Sequence, residues 1–370
     1  MGNKGGRSTA AGRFKNSFRV SRKAKEDKAG ATLTETRSGG TLDDLKEVYS
    51  VNWTKSGALG SGHYATVYKG KNKVSGLPVA VKKIQRALAR PETLRSEVGA
   101  LLKVRGHANI VALFDVFVSE EHVFLVMELL AGGELFDRIV KSGAYSEMDA
   151  SRHFGKLGSA LLFMHEQGIV HRDLKPENLV LKEKSPDSDI KISDFGLSKI
   201  LKDDADTIMK TVCGTRAYSA PEVNFGGKPQ GSTYTSKVDL WSLGVILYVI
   251  LGAYHPFDPY GEASDSQIWS RICAGKWDFD DAIWDSISSE AKDLIKNLLC
   301  VDPTKRYGAK ELLAHPWIVR FAEMPSNPLK SLTSKNASLM RFTSSAMSVD
   351  DVPPRQAQQP PPTPQDFNAV

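Results

Sequence analysis

Residues 171–178, His-Arg-Asp-Leu-Lys-Pro-Glu-Asn, concentrate side chains that could do chemistry. A second short motif, Asp-Phe-Gly at residues 194–196, begins sixteen residues after Asn178. A carboxylate such as that of Asp173 can accept a proton, and amide and carboxylate oxygens are the hard ligands that magnesium prefers. Each motif alone is weak evidence. In this order and at this separation, they indicate one catalytic site that binds a metal.

These two motifs match the catalytic loop and the metal-binding turn of the protein kinases, and the chain resembles that family over roughly residues 53–318. The resemblance implies an α+β, bilobal protein kinase fold, with an antiparallel β-sheet plus one helix in the N-lobe and a larger, mainly helical C-lobe. Asp173 would orient the attacking hydroxyl and accept its proton, and Lys175 would place a positive charge beside the γ-phosphate. Asn178 and Asp194 would hold Mg²⁺, so the expected cofactors are ATP and Mg²⁺.

Nucleotide binding is expected beneath a glycine-rich loop. Residues 60–67, Gly-Ser-Gly-His-Tyr-Ala-Thr-Val, match G-x-G-x-x-G-x-V with Ala65 at the third glycine. Without a Cβ, Gly60 and Gly62 let the backbone close over phosphates. A dinucleotide-binding fold can carry the same motif, but a helix would follow at once, whereas residues 67–70 predict a second strand. The resemblance implies that ATP contacts Leu59, Gly60, Ser61, Gly62, His63, Tyr64, Ala65, Thr66, Val67, Ala80, Lys82, Glu128, Leu130, Glu134 and Val180.

A lysine and a glutamate complete the predicted catalytic set. Residues 79–82, Val-Ala-Val-Lys, match the third-strand motif V-A-I-K, which makes Lys82 the phosphate-binding lysine. A helix predicted over residues 92–104 carries Glu97, which resembles the partner that holds Lys82 extended. A glutamate on a helix is usually a solvated charge, and the family context favours the pairing instead. Residues 128–130 resemble the hinge between the lobes.

The motif Asp-Leu-Lys-Pro-Glu-Asn at residues 173–178 is the form found in serine/threonine kinases. Residues 194–222 resemble an activation segment that ends in Ala-Pro-Glu. By resemblance, Thr211 is the site phosphorylated by an upstream kinase, and Thr215 contacts the catalytic loop. Phosphate on Thr211 would pair with Arg172 and Lys199. The resemblance also implies that Arg306 pairs with Glu222 and that Asp239 anchors the catalytic loop, both in structural roles.

Gly-Gly-Glu-Leu-Phe-Asp at residues 132–137 and His-Pro-Trp at residues 315–317 resemble the calcium/calmodulin-dependent kinase group. Glu134 and Glu177 match positions that receive an arginine three residues before the target. The expected substrates are therefore proteins with Arg-x-x-Ser/Thr sites. A pseudokinase scaffold would share the fold but should lack Lys82, Asp173 or Asp194, and all three are present. A small-molecule kinase would not need the peptide-binding activation segment.

Positive charge is concentrated in the N-terminal tail. Residues 1–40 hold ten Lys or Arg against three Asp or Glu, whereas the remainder has 39 against 40. Since the folded part then lacks a basic excess, a nucleic-acid-binding core is disfavoured. We expect three regions: a basic disordered tail over 1–52, a kinase domain over 53–318, and a regulatory segment with a Pro-rich disordered tail over 319–370. Three cysteines without a C-x-x-C pair favour a reduced, cytoplasmic protein.

Both tails offer regulatory interpretations. Gly2, once exposed, could accept myristate, and the basic tail could supply the second signal for peripheral membrane contact, although Gly6 replaces the preferred Ser or Thr. A disordered basic tail is the alternative. Residues 326–349 mix apolar and basic side chains and resemble a regulatory segment that blocks the site and binds calmodulin. An unstructured tail is the alternative there.

Overall fold

The computed structural model describes residues 38–62, 64–142, 145–200, 216–223, 236–323 and 325–329. These ranges form a β-rich N-lobe and a mainly helical C-lobe, which confirms the predicted α+β kinase fold. The N-lobe elements are β1 Ser38–Gly40, α1 Leu42–Val48, β2 Tyr49–Val51, β3 Ala58–Ser61, β4 Ala65–Asn72, β5 Pro78–Gln85, α2 Pro91–Lys103, β6 Leu113–Val118 and β7 His122–Glu128.

The N-lobe strands make one sheet in the order β1-β6-β7-β5-β4-β2, with β3 also pairing with β4. All pairs are antiparallel except β1 with β6. Because side chains alternate along a strand, neighbouring residues of β5 face opposite ways. Lys82 is buried towards α2, while the Lys83 ammonium lies 5.8 Å from the ring of Trp53. The register of β5 therefore directs Lys82 into the site.

Residues 38–51 are folded and belong to the N-lobe, within the range 1–52 for which a disordered tail was expected. Leu45 of α1 is fully buried and packs in one cluster with Phe117 and Phe124. The Tyr49 hydroxyl donates to the Asp115 carboxylate at 2.5 Å. Helix α1 covers the sheet face opposite the site, whereas β1 and β2 extend the sheet at its edges. A seven-residue helix with one fully buried leucine shows too little periodicity to be recognised from sequence.

The C-lobe is built around one completely buried helix. Every residue of α5 from Val238 to Gly252 is buried, as its apolar sequence on all sides requires. The C-lobe elements are β8 Gly133–Glu134, α3 Leu135–Ser142, α4 Glu147–Glu166, β9 Ile169–Val170, β10 Leu179–Leu181, β11 Ile190–Ile192, β12 Lys199–Ile200, α5 Lys237–Gly252, α6 Asp265–Ala274, α7 Ser289–Leu298, α8 Ala309–Ala314 and α9 Pro316–Val319.

Helix α4 delivers the chain to the catalytic loop. It begins at a capping box in which Ser146 and Asp149 satisfy each other's backbone N–H groups. It ends before Gly168, which has φ 72°, a left-handed conformation that glycine adopts without strain. β9 follows and leads directly to His171.

The chain after α9 returns to the start of α4. The backbone N–H of Leu329 donates to the carbonyl of Tyr145 at 2.8 Å, and Leu329 is buried in the C-lobe core. Within the predicted regulatory range 326–349, Leu329 therefore packs on the domain, and residues 330–349 lie outside the described part. Among the helices described, none is long and apolar enough to cross a bilayer.

Candidate active site

Lys82 connects the two lobes at the centre of the cleft. Its ammonium lies 2.7 Å from Glu97 of α2 and 3.0 Å from Asp194, and the Lys82 and Glu97 side chains are 10% and 3% exposed. Burial alone would lower the pKa of Lys82, but the two carboxylates outweigh it and hold that pKa above its usual range. Burial would likewise raise the pKa of Asp194, and the Lys82 charge holds it low. The structure thus brings together the predicted lysine, glutamate and aspartate.

Asp239 on α5 holds the backbone of the catalytic loop. Its carboxylate is fully buried and accepts the N–H groups of His171 at 2.9 Å and Arg172 at 2.8 Å. His165 Nε2 lies 2.9 Å from the same carboxylate. Burial would raise the pKa of Asp239, but these hydrogen bonds keep it below its usual value. Arg172 has φ 70°, a strained conformation for a residue with a Cβ, and the bonds from Asp239 hold it there.

Asp173 and Lys175 lie side by side at the floor of the cleft. The Lys175 ammonium is 3.4 Å from the Asp173 carboxylate, and about a fifth of each side chain remains exposed, 22% and 21% respectively. Burial would lower the pKa of Lys175, and the carboxylates of Asp173 and Glu177 raise it above its usual value. A cation that stays charged beside a partly exposed carboxylate suits transfer of an anionic group to a hydroxyl.

Asn178 and Asp194 offer oxygen ligands to a metal. The Asn178 amide nitrogen donates to the carbonyl of Asp173 at 2.7 Å, so the atom that it can offer a cation is Oδ1. Leu179 pairs with Ile192, and the Ser193 N–H donates to the carbonyl of Asn178. These backbone contacts place Asn178 next to Asp194. No cluster of three or more His, Cys, Asp or Glu side chains that could hold a metal occurs within the described ranges. Two hard oxygens therefore fit a divalent ion that also binds substrate phosphates.

The glycine-rich loop leaves space for a ligand. A Cβ added at Gly60 would meet no described atom within 4 Å, so packing of the protein itself does not require glycine there. The Tyr64 ring lies 6.0 Å from the Lys82 ammonium, and a Cβ on Gly196 would be only 2.8 Å from the Tyr64 hydroxyl. Burial, opposed by the Lys82 charge, raises the pKa of Tyr64. Tyr64 thus reaches from the loop to the Asp-Phe-Gly turn. His63 lies outside the described residues.

The other residues predicted to contact ATP are distributed around this cleft. Val67 pairs with Lys82 across β4 and β5, and Ala80 pairs with Met127 across β5 and β7. Val180 of β10 pairs with Glu134 of β8, below the hinge. The Ser61 and Thr66 hydroxyls are 3.0 Å apart, Leu59 is about half exposed, and Leu130 packs against the core. Their contacts with nucleotide stay predictions.

An ion pair that the motifs did not predict fixes the hinge. The Lys191 ammonium on β11 lies 2.7 Å from the carboxylate of Glu128, and both side chains are largely buried, 9% and 16% exposed. The backbone N–H of Glu128 donates to the carbonyl of Ala112 at 2.9 Å. A lysine between two isoleucines in a short strand was the only sequence signal for this pair. It ties the first hinge residue to the strand that leads to Asp194.

Of the two predicted substrate-binding carboxylates, Glu177 belongs to the catalytic loop and Glu134 lies near it. Burial raises the pKa of Glu177, and the charges of Glu134 and Asp173 raise it further, against the backbone hydrogen bond and Lys175. The Oε2 atom of Glu177 is buried and has no hydrogen-bond partner among the described residues. Thr211 and Thr215 lie outside the described residues, as does the Lys199 side chain. The predicted phosphate-binding set of Arg172, Lys199 and Thr211 is therefore not placed.

The expected structural pair below the activation segment is confirmed. The Arg306 guanidinium donates to both carboxylate oxygens of Glu222, at 2.7 and 2.9 Å, and its side chain is fully buried. It also donates to the carbonyl of Cys300 at 2.8 Å. This bidentate contact fixes the end of the activation segment on the C-lobe.

Residues 53–318 match the protein kinase domain family, and the chain belongs to that family. The fold and the cleft with its Lys82–Glu97 and Asp173–Asn178 groups agree with this assignment. The region that matches starts after α1 and β2, so residues 38–51 are an addition to the family domain in this chain.

Three similar proteins indicate the branch of the family. The chain is 46% identical over 263 residues to calcium/calmodulin-dependent protein kinase type 1 of Caenorhabditis elegans, covering 70% of this chain and 72% of the relative. It is 39% identical over 313 residues to the type 1 kinase of Macrobrachium nipponense, covering 84% and 87%. Identity to the type IV kinase of Rattus norvegicus is 41% over 280 residues, covering 76% and 56%. The chain is an ATP-dependent serine/threonine protein kinase of the calcium/calmodulin-dependent kinase type.

Proposed function

We propose that this kinase transfers the γ-phosphoryl group of ATP to serine or threonine in proteins that carry an arginine three residues before the target. Asp173 orients the substrate hydroxyl and accepts its proton, and Lys175, 3.4 Å away, stabilises the charge on the transferred group. Lys82, held by Glu97, binds the nucleotide phosphates. Asn178 and Asp194 would hold Mg²⁺, which would neutralise charge on the phosphates.

The observation that carries the substrate preference is the buried Glu177 Oε2 atom, which has no hydrogen-bond partner in the described structure. A buried carboxylate oxygen without a partner is costly, and Glu134 raises that cost because it is a second negative charge nearby. A guanidinium group would satisfy the oxygen and neutralise both carboxylates. The site therefore supports recognition of arginine rather than of an acidic or apolar side chain.

The test compares two peptides that differ only in arginine or alanine three residues before the target serine. The wild type should prefer the arginine peptide, and Glu177→Gln should reduce that preference by about 10- to 100-fold, the equivalent of one charge-assisted hydrogen bond. The matched control is Asp137→Asn, an acid on α3 that forms an ion pair with Lys141 at 3.5 Å. It should leave the preference intact. Equal use of both peptides by the wild type would exclude the proposal.

We also propose regulation by two segments that lie partly outside the described residues. An upstream kinase phosphorylates Thr211, and the phosphate pairs with Arg172 and Lys199 to order the activation segment. Residues 326–349 block the active site, and the binding of calmodulin to this segment relieves the block. Support comes from the relatives' names, which call them calcium/calmodulin-dependent, and from Leu329, which anchors the start of this segment on the C-lobe.

These regulatory proposals are tested with the same arginine peptide. Activity of the full chain should rise with calcium-loaded calmodulin, whereas a chain cut after Leu329 should be active without it. This cut keeps the residues that pack into the core. Thr211→Ala should lower activity several-fold after treatment with an upstream kinase. Full-chain activity equal to that of the truncated chain, with and without calmodulin, would contradict the proposed block.

For location, we propose a cytoplasmic protein with peripheral membrane contact through myristate on Gly2 and the basic residues of the N-terminal tail, all ten of which lie within residues 1–37. One acyl chain binds a membrane only weakly, so the basic side chains are the required second signal. Mass spectrometry of the native N-terminus should show one myristoyl group. A free or acetylated terminus would refute the anchoring.

A further inference from the structure

Two adjacent residues of α2 reach two different parts of the catalytic machinery. Glu97 accepts from the Lys82 ammonium at 2.7 Å. Ser96, the residue before it, is half-buried, and its hydroxyl donates to the backbone carbonyl of Ser198 at 2.9 Å. Successive side chains on a helix point about 100° apart, so Ser96 faces the chain that follows Asp194 while Glu97 faces β5.

The Ser198 carbonyl is firmly held relative to the catalytic loop. The Ser198 N–H donates to the carbonyl of Phe195 at 3.0 Å, which closes the turn after Asp194. β12 begins at the next residue and pairs with β9, in the register Lys199 with Val170. β9 ends immediately before His171. Ser198 is thus a fixed point at the start of the activation segment, and Ser96 binds α2 to it.

We propose that Ser96 is a positioning residue for phosphoryl transfer, because its hydroxyl holds α2 against the start of the activation segment and thereby keeps Glu97 on Lys82. This inference rests on the proposed roles of Lys82 and Glu97. The Ser96 hydroxyl acts through Glu97 and contacts neither ATP nor the peptide. The loss of Ser96 should therefore lower kcat and leave the KM for peptide unchanged.

The expected loss is modest and measurable. One neutral hydrogen bond contributes enough to a two-state equilibrium to change it by roughly 2- to 13-fold. Ser96→Ala should lower kcat by about that factor. Ser96→Thr keeps the hydroxyl and should remain within about twofold of the wild type. Ser119→Ala is the matched control, because the Ser119 hydroxyl also donates to a backbone carbonyl, that of His122 at 3.2 Å, at the far end of the N-lobe sheet. It should not change kcat.

A double-mutant cycle with Glu97→Gln decides whether Ser96 acts through Glu97. If it does, Ser96→Ala should lower kcat in the wild-type background and add little in the Glu97→Gln background, because the contact it supports is already weakened. If the kcat losses of Ser96→Ala and Glu97→Gln multiply in the double variant, Ser96 acts independently of Glu97 and the proposal is wrong. A Ser96→Ala enzyme as active as the wild type would also overturn it, as would a Ser96→Thr enzyme as impaired as Ser96→Ala.

Thermal unfolding of each variant separates positioning from folding. Ser96→Ala removes one hydrogen bond, and Ser119→Ala removes two, because the Ser119 hydroxyl also accepts the His122 N–H at 3.0 Å. At about 1 kcal/mol for each bond, the two variants should unfold within about 4 °C of each other. A kcat loss confined to Ser96→Ala at equal stability supports positioning. A wild type that phosphorylates no arginine peptide, or prefers none, would instead refute the proposed function, so the two failures are distinguishable.

Discussion

Acid should destabilise this kinase through one buried histidine, His153 on α4. The ring is only 6% exposed, and its Nδ1 lies 2.8 Å from the Tyr145 hydroxyl. Burial, with help from the charges of Arg152 and Lys156, lowers the pKa of His153 from 6.5 to about 4. The folded protein therefore keeps the ring neutral at pH values at which the unfolded chain protonates it.

The lowered pKa of His153 determines both the direction and the size of the stability change with pH. Between pH 6.5 and 4 the unfolded state binds the extra proton, so stability is present above this window and is lost as the pH falls through it. A difference of about 2.5 pKa units corresponds to about 3 kcal/mol once the pH reaches 4, and about 2 kcal/mol of this is lost between pH 7 and pH 5. That is a large part of the roughly 5–15 kcal/mol that stabilises a typical domain.

The assay measures the free energy of unfolding by urea at pH 7, 6 and 5 for the wild type and for His153→Gln. Glutamine can still accept a hydrogen bond from Tyr145 but does not titrate. Other groups titrate equally in both proteins, so the difference between the two profiles isolates His153. We expect the wild type to lose about 2 kcal/mol more than the variant from pH 7 to pH 5. Parallel profiles would refute the reasoning.

Three further predictions concern catalysis, the C-lobe and the N-terminal addition. Asp173→Asn should lower kcat by about 10²- to 10⁴-fold and leave the KM for ATP nearly unchanged in steady-state assays, whereas a large change in that KM would contradict its role with the hydroxyl. Glu222→Ala leaves the buried Arg306 charge unpaired, so it should cost about 3–5 kcal/mol and lower the Tm by about 6–20 °C in calorimetry; a shift below about 2 °C would be inconsistent with the observed pair. Leu45→Ala should cost about 2–5 kcal/mol in urea unfolding, and a cost below about 0.5 kcal/mol would contradict the packing of residues 38–51 on the sheet.

Contiguous motifs made the centre of the site predictable. Residues 171–178 and 194–196 each fold as one local unit, so their side chains keep the same relative positions wherever the fold carries them. The apolar sequence of α5 likewise determined that this helix is buried, because no face of it can meet water at low cost.

Only the tertiary structure decided which distant residues support that centre. Glu128 and Lys191 are far apart in sequence, as are Ser96 and Ser198, and neither pair carries a motif. The docking of α1 on the sheet was equally hidden, since its one fully buried leucine acquires a meaning only from the apolar face that it covers. A motif specifies chemistry through neighbours along the chain. The contacts that hold a motif in position are made by neighbours in space. A single sequence does not record these contacts, because many residue types can make them.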